Sequence, residues 1–178
     1  ELVLFGNRLN NGPPSRYDPT PSYWHNDPAV SGGGSWAVEA AHGIDTFLDL
    51  VGDDEVQAVG AVMSNAMYRR PFEDWGLGVL RTAGGVTAVI EAGYTYPSGV
   101  HAGDHFFRFV GTNAMVFERY DRQYREVIEV HTTEGVEYIP DNGHNERFSG
   151  IIEDALNALA SGALFQPSIA QAVRILEV

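Results

Sequence analysis

The sequence predicts an α+β domain with an open, largely antiparallel six-stranded sheet, helices packed on one face and the other face available for oligomerisation. Three observations predict it. Apolar residues recur at helical spacing over residues 35–51, alternating segments separated by short glycine turns run from Val56 to Tyr138, and helical spacing returns after Phe148. The 178 residues fit one domain.

The chain opens with a predicted strand over residues 1–10, where apolar and polar residues alternate weakly. Asn11-Gly12-Pro13-Pro14, with two further prolines, then predicts an irregular segment that continues to Gly34. Loops of this length in compact domains are often functional, and this one carries Tyr17, Trp24 and His25. It is expected either to line a pocket or to pack its aromatic side chains onto the core.

A helix is predicted over residues 35–51 because apolar residues recur there every three or four positions, and Gly52 stands where a C-terminal cap belongs. The members of this apolar stripe are Ala37, Ala40, Ala41, Ile44, Phe47, Leu48 and Val51.

Six strands are expected in the following stretch, joined by turns at residues 83–85, 97–99 and 111–113. Alternation along 86–96 gives a core face and a mixed face that includes Val89 and Glu91. Because that second face is not fully polar, it is predicted to contact another copy of the chain, as a homo-oligomer. Two closing helices are expected, one ending at Gly162 and one beginning at Ser168.

Composition excludes several classes of protein. The formal charge is −13 and no lysine is present, so a nucleic-acid or anionic membrane partner is not expected. The absence of cysteine rules out disulfides and thiolate chemistry and is compatible with the cytoplasm, which is the default location expected here. No apolar run approaches the roughly 20 residues that cross a bilayer.

The glycine triplet Gly32-Gly33-Gly34 formally matches a dinucleotide-binding turn, with acidic residues about 20 positions further on. That interpretation requires a strand directly before the glycines, whereas a polar loop containing Pro28 precedes them. Cofactor binding by this turn is therefore not expected.

His42 is the candidate catalytic residue. Glu39 and Asp45 lie three positions to either side of it on the predicted helix, so the imidazole can share a face with carboxylates, as a general acid–base often does. The alternative is a surface histidine in a solvated acidic stripe. A metal site at His101 and His105 is disfavoured, because a strand would not bring them to one ion.

The segment Tyr23-Trp24-His25-Asn26-Asp27-Pro28, the glycine triplet and then His42-Gly43-Ile44-Asp45 together resemble the start of the C-terminal domain in the glucose–fructose oxidoreductase, inositol dehydrogenase and rhizopine-catabolism family, Gfo/Idh/MocA. The resemblance extends to the Gly-Thr-Asn turn at 111–113 and to the closing helices after Phe148.

This resemblance implies that residues 1–178 form a C-terminal substrate-binding domain, with an N-terminal Rossmann domain outside this chain that holds NAD or NADP. It implies hydride transfer to or from a sugar, polyol or derivative at the interface of the two domains, with His42 matching the family's helix histidine. Residues predicted to contact this carbohydrate-like substrate are Trp24, Arg8, Asn10, Asp45 and Tyr94.

One position departs from the family pattern. Members often carry an acid four residues before the histidine, where this chain has Val38, and Glu39 lies about 100 degrees around the helix from that position. Glu39 is therefore not expected to substitute directly. The alternative function is a non-catalytic carbohydrate-binding or oligomerisation module of the same fold.

Overall fold

The computed structural model describes residues 1–17, 21–97, 103–121, 123, 125–140, 144–165 and 167–178. Its strands are β1 (Leu2–Asn10), β2 (Val56–Ser64), β3 (Trp75–Thr82), β4 (Thr87–Gly93), β5 (Asp104–Gly111), β6 (Met115–Tyr120), β7 (Glu126–Thr132) and β8 (Gly135–Pro140). Its helices are α1 (Pro28–Ser31), α2 (Ser35–Val51), α3 (His144–Ser161) and α4 (Ile169–Glu177), and two 3-10 turns, Pro14–Tyr17 and Pro21–Asn26, precede α1.

The strands form one mixed sheet in the order β2-β3-β4-β1-β5-β6-β7-β8. The α+β class is confirmed, but the expected six strands are wrong, because the described residues form eight. The hairpin from β7 to β8 turns through Thr133 and Glu134, which carry no proline, glycine or asparagine signal. β1 also lies inside the sheet and pairs in parallel with β4, so the sheet is not purely antiparallel.

Helix α2 covers the centre of one sheet face, and its bounds agree with the predicted helix. Phe47 and Phe5 are both fully buried, and their rings stack with centroids 5.9 Å apart. The helix approaches β1 closely at Gly43, where an added Cβ would lie only 2.8 Å from Cγ of Asn7. The buried core consists of Phe5, Ala40, Ile44, Phe47, Leu48, Leu80, Ala88, Ile90 and Ala92.

The first turn of α2 is capped by an acidic side chain from the loop before β3. The Oε1 atom of Glu73 accepts hydrogen bonds from the amides of Gly34 (2.8 Å) and Trp36 (3.2 Å). A Cβ at Gly34 would lie 2.7 Å from Cδ of Glu73, so glycine is needed for this approach. The glycine triplet therefore serves to admit a carboxylate to the positive end of the helix.

A helix packs on one face of the sheet, and no helix of the described chain packs on the other face. We call the face that bears α2 the helix face and the other one the outer face. α4 packs beside α2, where its Gln171 donates a hydrogen bond to Asp45 (2.9 Å). Apolar side chains of α3 are exposed, as Ile152 (61%) and Leu159 (81%) show.

Within the described part of the chain, no helix is both long and apolar enough to cross a membrane.

Candidate functional site

A cleft of about 590 Å³ lies between α2 and the helix face of strands β5 to β7. We call it the histidine cleft. Helix α2 contributes Glu39, His42, Asp45 and Thr46 to one wall. His42 is exposed in the isolated chain, and its backbone carbonyl accepts a hydrogen bond from the hydroxyl of Thr46 (2.9 Å). The remaining lining comes from Leu9, Asn11, Arg16, His105, Phe106, Phe107, Glu118, Arg119, Tyr120 and Glu126.

Glu39 lies deepest on the helical wall, being only 4% exposed while still lining the cleft. The hydroxyl of Tyr17 donates a hydrogen bond to its Oε1 atom (3.2 Å). Burial, followed by the negative charge of Glu39, raises the pKa of Tyr17 to about 12, so this phenol remains a donor at neutral pH. The irregular segment before α1 thus holds Glu39 through Tyr17 and lines the cleft with Asn11 and Arg16.

Two further groups are held in place by neighbouring elements. The Oδ1 atom of Asp45 accepts the hydrogen bond from Gln171 of α4, which fixes that carboxylate at the cleft wall. On the opposite wall, Nε2 of His105 lies 3.1 Å from Oδ1 of Asn11, and its ring contacts Tyr120. Two histidines, His42 and His105, therefore line the same cleft from different elements.

Arg8 and Asn10, both predicted to contact substrate, lie on the outer face. They alternate along β1 with Leu9, which lines the histidine cleft, so their side chains point the other way. Arg8 pairs with Asp104 (2.8 Å) beside a second depression of about 780 Å³. Asn10 is buried and donates a hydrogen bond to Glu91 (2.9 Å). The structure does not bring these two residues together with His42.

Tyr94 and Trp24, the other predicted substrate residues, flank the cleft region without lining it. Tyr94 is completely buried, its ring 5.5 Å from that of Tyr17, and burial followed by the charge of Glu39 raises its pKa. Trp24 is 39% exposed and stacks on His25 with centroids 3.7 Å apart. Of the predicted set, His42 and Asp45 are the two that share the cleft.

Sequence reasoning missed Tyr17 as a partner of Glu39 and gave His105 no place in the site. The signal for His105 was available in the strand alternation, because His105 and Phe107 must share the helix face with Phe109. Tyr17 offered no such signal, since an irregular loop has no periodicity from which to read direction.

The described residues contain no metal-binding group, and the glycine triplet is not placed to hold a dinucleotide. Over the described ranges, no group of three or more histidine, aspartate and glutamate side chains could hold a metal ion, and His101 lies outside those ranges. The amides at the start of α2 already bond to Glu73, and the glycine triplet follows the short helix α1 rather than a strand. A pyrophosphate would need the place that this carboxylate occupies.

Comparison with solved structures shows the same fold. A levoglucosan dehydrogenase in complex with NADH and levoglucosan matches with a TM-score of 0.75 and 23% identity over 98% of this chain and 54% of that one. The Y186F mutant of KijD10, a 3-ketoreductase from Actinomadura kijaniata in complex with TDP-benzene and NADP, matches with a TM-score of 0.71 and 21% identity over 98% of this chain and 51% of that one. A putative oxidoreductase from Thermotoga maritima matches with a TM-score of 0.75 and 17% identity over 99% of this chain and 50% of that one.

The chain thus spans about half the length of these solved structures, and at such identities the likeness concerns the fold alone. No curated protein sequence matches it. A family model described as the GFO/IDH/MocA C-terminal domain matches residues 4–117, which include most of β1, all of α2, the central strands and most of the residues around His42. The chain therefore belongs to the GFO/IDH/MocA family, as a C-terminal domain of that family.

Proposed function

We propose that this chain is the substrate-binding domain of an NAD(P)-dependent oxidoreductase that acts on a carbinol or carbonyl carbon of a sugar, polyol or derivative. The observation that carries the proposal is the exposed His42 in a cleft of a GFO/IDH/MocA C-terminal domain. Structures of the same fold include a 3-ketoreductase with NADP and a levoglucosan dehydrogenase with NADH, which supports the reaction class and the cofactor.

Oxidation of a carbinol removes a hydride from carbon and a proton from oxygen and leaves a carbonyl group; reduction reverses both transfers. A bound nicotinamide would accept or donate the hydride. The role of this chain is to bind the substrate and to transfer the proton to or from the substrate oxygen. Histidine suits that role because its unperturbed pKa, about 6.5, lies near neutrality and because neither lysine nor cysteine is present here.

We place NAD or NADP on a Rossmann domain outside this chain. The described residues offer no strand–glycine turn–helix unit, and Glu73 occupies the helix N-terminus that would otherwise attract a phosphate. The substrate would lie between that domain and the histidine cleft, with Asp45 beside His42 as a hydrogen-bonding group.

The His42→Ala variant of the full-length protein tests this role. Turnover should fall by about a hundredfold or more, the usual scale for loss of a general acid–base, with thermal stability unchanged. The matched control is Asp49→Ala, which removes an exposed side chain of the same helix outside the cleft. Near-normal turnover in His42→Ala would contradict the assignment. Absence of any dehydrogenase activity in the wild-type protein would instead favour a non-catalytic module.

We also propose that the outer face contacts another copy of the chain. Side chains such as Val79, Val89 and Val110 lie on it half-buried, although no element of the described chain covers that face. Sedimentation of the wild type should show a dimer or a larger assembly. Val89→Arg should shift it toward monomer, and a wild-type monomer at high concentration would refute the proposal.

A second apolar surface is exposed on α3. Ile152, Leu156 and Leu159 of α3 are 61%, 61% and 81% exposed on one helical stripe. We propose that this stripe packs against the nucleotide-binding domain. Leu156→Glu should then destabilise the full-length protein, whereas the isolated chain should keep its stability within about 0.5 kcal/mol because the side chain is exposed there. Equal effects in both proteins would contradict the proposal.

A further inference from the structure

The charges that line the histidine cleft favour one class of substrate over another. Among the described lining residues, Glu39 and Asp45 of α2 carry carboxylates whose hydrogen-bond partners, Tyr17 and Gln171, are uncharged. Arg119 already donates hydrogen bonds to Oε1 of Glu129 on the outer face (2.7 Å and 3.2 Å). The positive charge of Arg119 is therefore engaged on the outer face, and the described part of the helical wall is negative through Glu39 and Asp45.

Arg16, the other cation, lies at the exposed rim. Its guanidinium contacts Oδ1 of Asn11 (3.4 Å) and lies 5.3 Å from the centroid of the Tyr17 ring. It is exposed to solvent, which screens its charge far more than that of a buried group. A phosphate or carboxylate beside this wall would therefore meet the negative charges of Glu39 and Asp45, and no described lining residue offers a buried cation to balance it.

Glu39 gives this cleft a specific acceptor. It is only 4% exposed and lines the cleft, and among the described residues its one hydrogen-bond partner is the hydroxyl of Tyr17, at Oε1. The Oε2 atom accepts no hydrogen bond from the described residues. An ionised carboxylate can accept hydrogen bonds but cannot donate them. The group that completes this site must therefore be a hydrogen-bond donor.

We infer that the histidine cleft is built for an uncharged, hydroxyl-bearing substrate, with Glu39 accepting a hydrogen bond from one substrate hydroxyl, and that it discriminates against phosphorylated and acidic sugars. This inference rests on the proposed function and narrows its substrate class. Tyr17 acts as a positioning residue, because its hydroxyl fixes one oxygen of Glu39 and leaves the other for the substrate. His42 remains the residue that moves the proton.

The test uses the full-length protein with NAD and NADP and three matched pairs of probes: D-glucose and its 6-phosphate, D-galactose and its 6-phosphate, and myo-inositol and its 1-phosphate. For each pair that is oxidised, kcat/KM should be at least tenfold higher for the neutral member. Equal or better use of the phosphate would overturn the inference while leaving the oxidoreductase intact. Turnover of none of the six would count against the proposed function and the inference together.

The Glu39→Gln variant tests whether the charge of Glu39, rather than the shape of the cleft, causes the preference for neutral substrates. The neutral amide keeps the side-chain size, so the preference for the neutral probe should fall at least fivefold, with the change in KM rather than in kcat. Tyr17→Phe should shift the preference in the same direction by less. The matched control is Asp49→Asn, which removes one charge from an exposed position of the same helix outside the cleft and should leave the ratio unchanged. An unchanged ratio in Glu39→Gln would overturn the assignment of Glu39.

Discussion

The carboxylate of Glu73 caps helix α2 by accepting the amide hydrogen of Gly34 over 2.8 Å. Helix N-termini attract negative charge because their first amides lack partners within the helix. A side chain from the loop before β3 thereby fixes the end of the helix that carries His42.

Removal of this cap should weaken the fold. Glu73→Gln is expected to lower the free energy of unfolding by about 1 kcal/mol and Glu73→Ala by up to about 2 kcal/mol, because the amides of Gly34 and Trp36 lose a charged acceptor. Urea denaturation measures both. Glu153→Gln on the exposed surface of α3 serves as control and should change stability by less than about 0.5 kcal/mol. Equal effects at the two positions would refute the capping role.

The isolated chain should not bind a nicotinamide cofactor tightly. Its glycine turn follows a helix rather than a strand, and the amides at the helix start are already bonded to Glu73. Isothermal titration calorimetry with NAD and with NADP should show no dissociation constant below micromolar concentration. A sub-micromolar value for this chain alone would contradict the assignment of the cofactor to another domain.

Gly43 should tolerate no side chain, although it lies in the middle of a helix. An added Cβ would lie 2.8 Å from Cγ of Asn7 and 3.1 Å from Cγ2 of Ile90, so α2 would have to move away from the sheet. Gly43→Ala is expected to cost about 1–3 kcal/mol. Gly150→Ala on α3, where nothing lies within 4 Å, should instead gain up to about 1 kcal/mol. Thermal denaturation measures the stability of both variants. A gain in stability from both substitutions would show that α2 does not pack closely against the sheet at Gly43.

Stability should fall in acid through Glu129 on the outer face. The hydrogen bond from Arg119 lowers the pKa of Glu129 from its ordinary value of 4.5, with His131 as a second partner at 3.1 Å. Because the folded pKa lies below the unfolded one, the contribution is complete above about pH 4.5 and is lost as the pH falls through the folded value.

Glu129→Gln should therefore cost about 1 kcal/mol at pH 7, a modest figure because Arg119 is half-exposed. The difference from wild type should shrink as the pH falls from 5 toward about 3, measured by urea unfolding at each pH. A difference that stays constant over this range would mean that the ion pair does not contribute.

The helices could be predicted from sequence more fully than the sheet. Residues 35–51 carry an uninterrupted apolar stripe that ends at Gly52, and α2 has those bounds. The strand predicted over 86–96 is present as β4, but it ends three residues earlier, at Gly93. Alternation gives the faces of a strand but not its neighbours, so the parallel pairing of β1 with β4 could not be predicted.

The site was predictable where its residues lie on a periodic element. His42 and Asp45 share a face of α2, and helical spacing alone places them together. Arg8 and Asn10 have polar side chains suited to a sugar, but the alternation of β1 relative to Leu9 turns them to the outer face. Tyr17 reaches Glu39 from an irregular segment, where only the folded chain determines the direction of a side chain.

The central place of β1 also has a consequence for the order in which the molecule assembles. Its Leu4 lies opposite Thr87 on one side and Val110 on the other, so the first strand cannot dock until residues far along the chain are present. The antiparallel units β2-β3-β4 and β5 to β8 are local and can form earlier. The histidine cleft has α2, which packs mainly on β4, on one side and β5 to β7 on the other. Because β1 joins the two units and contributes Leu9 to the lining, the histidine cleft cannot exist without β1 in place.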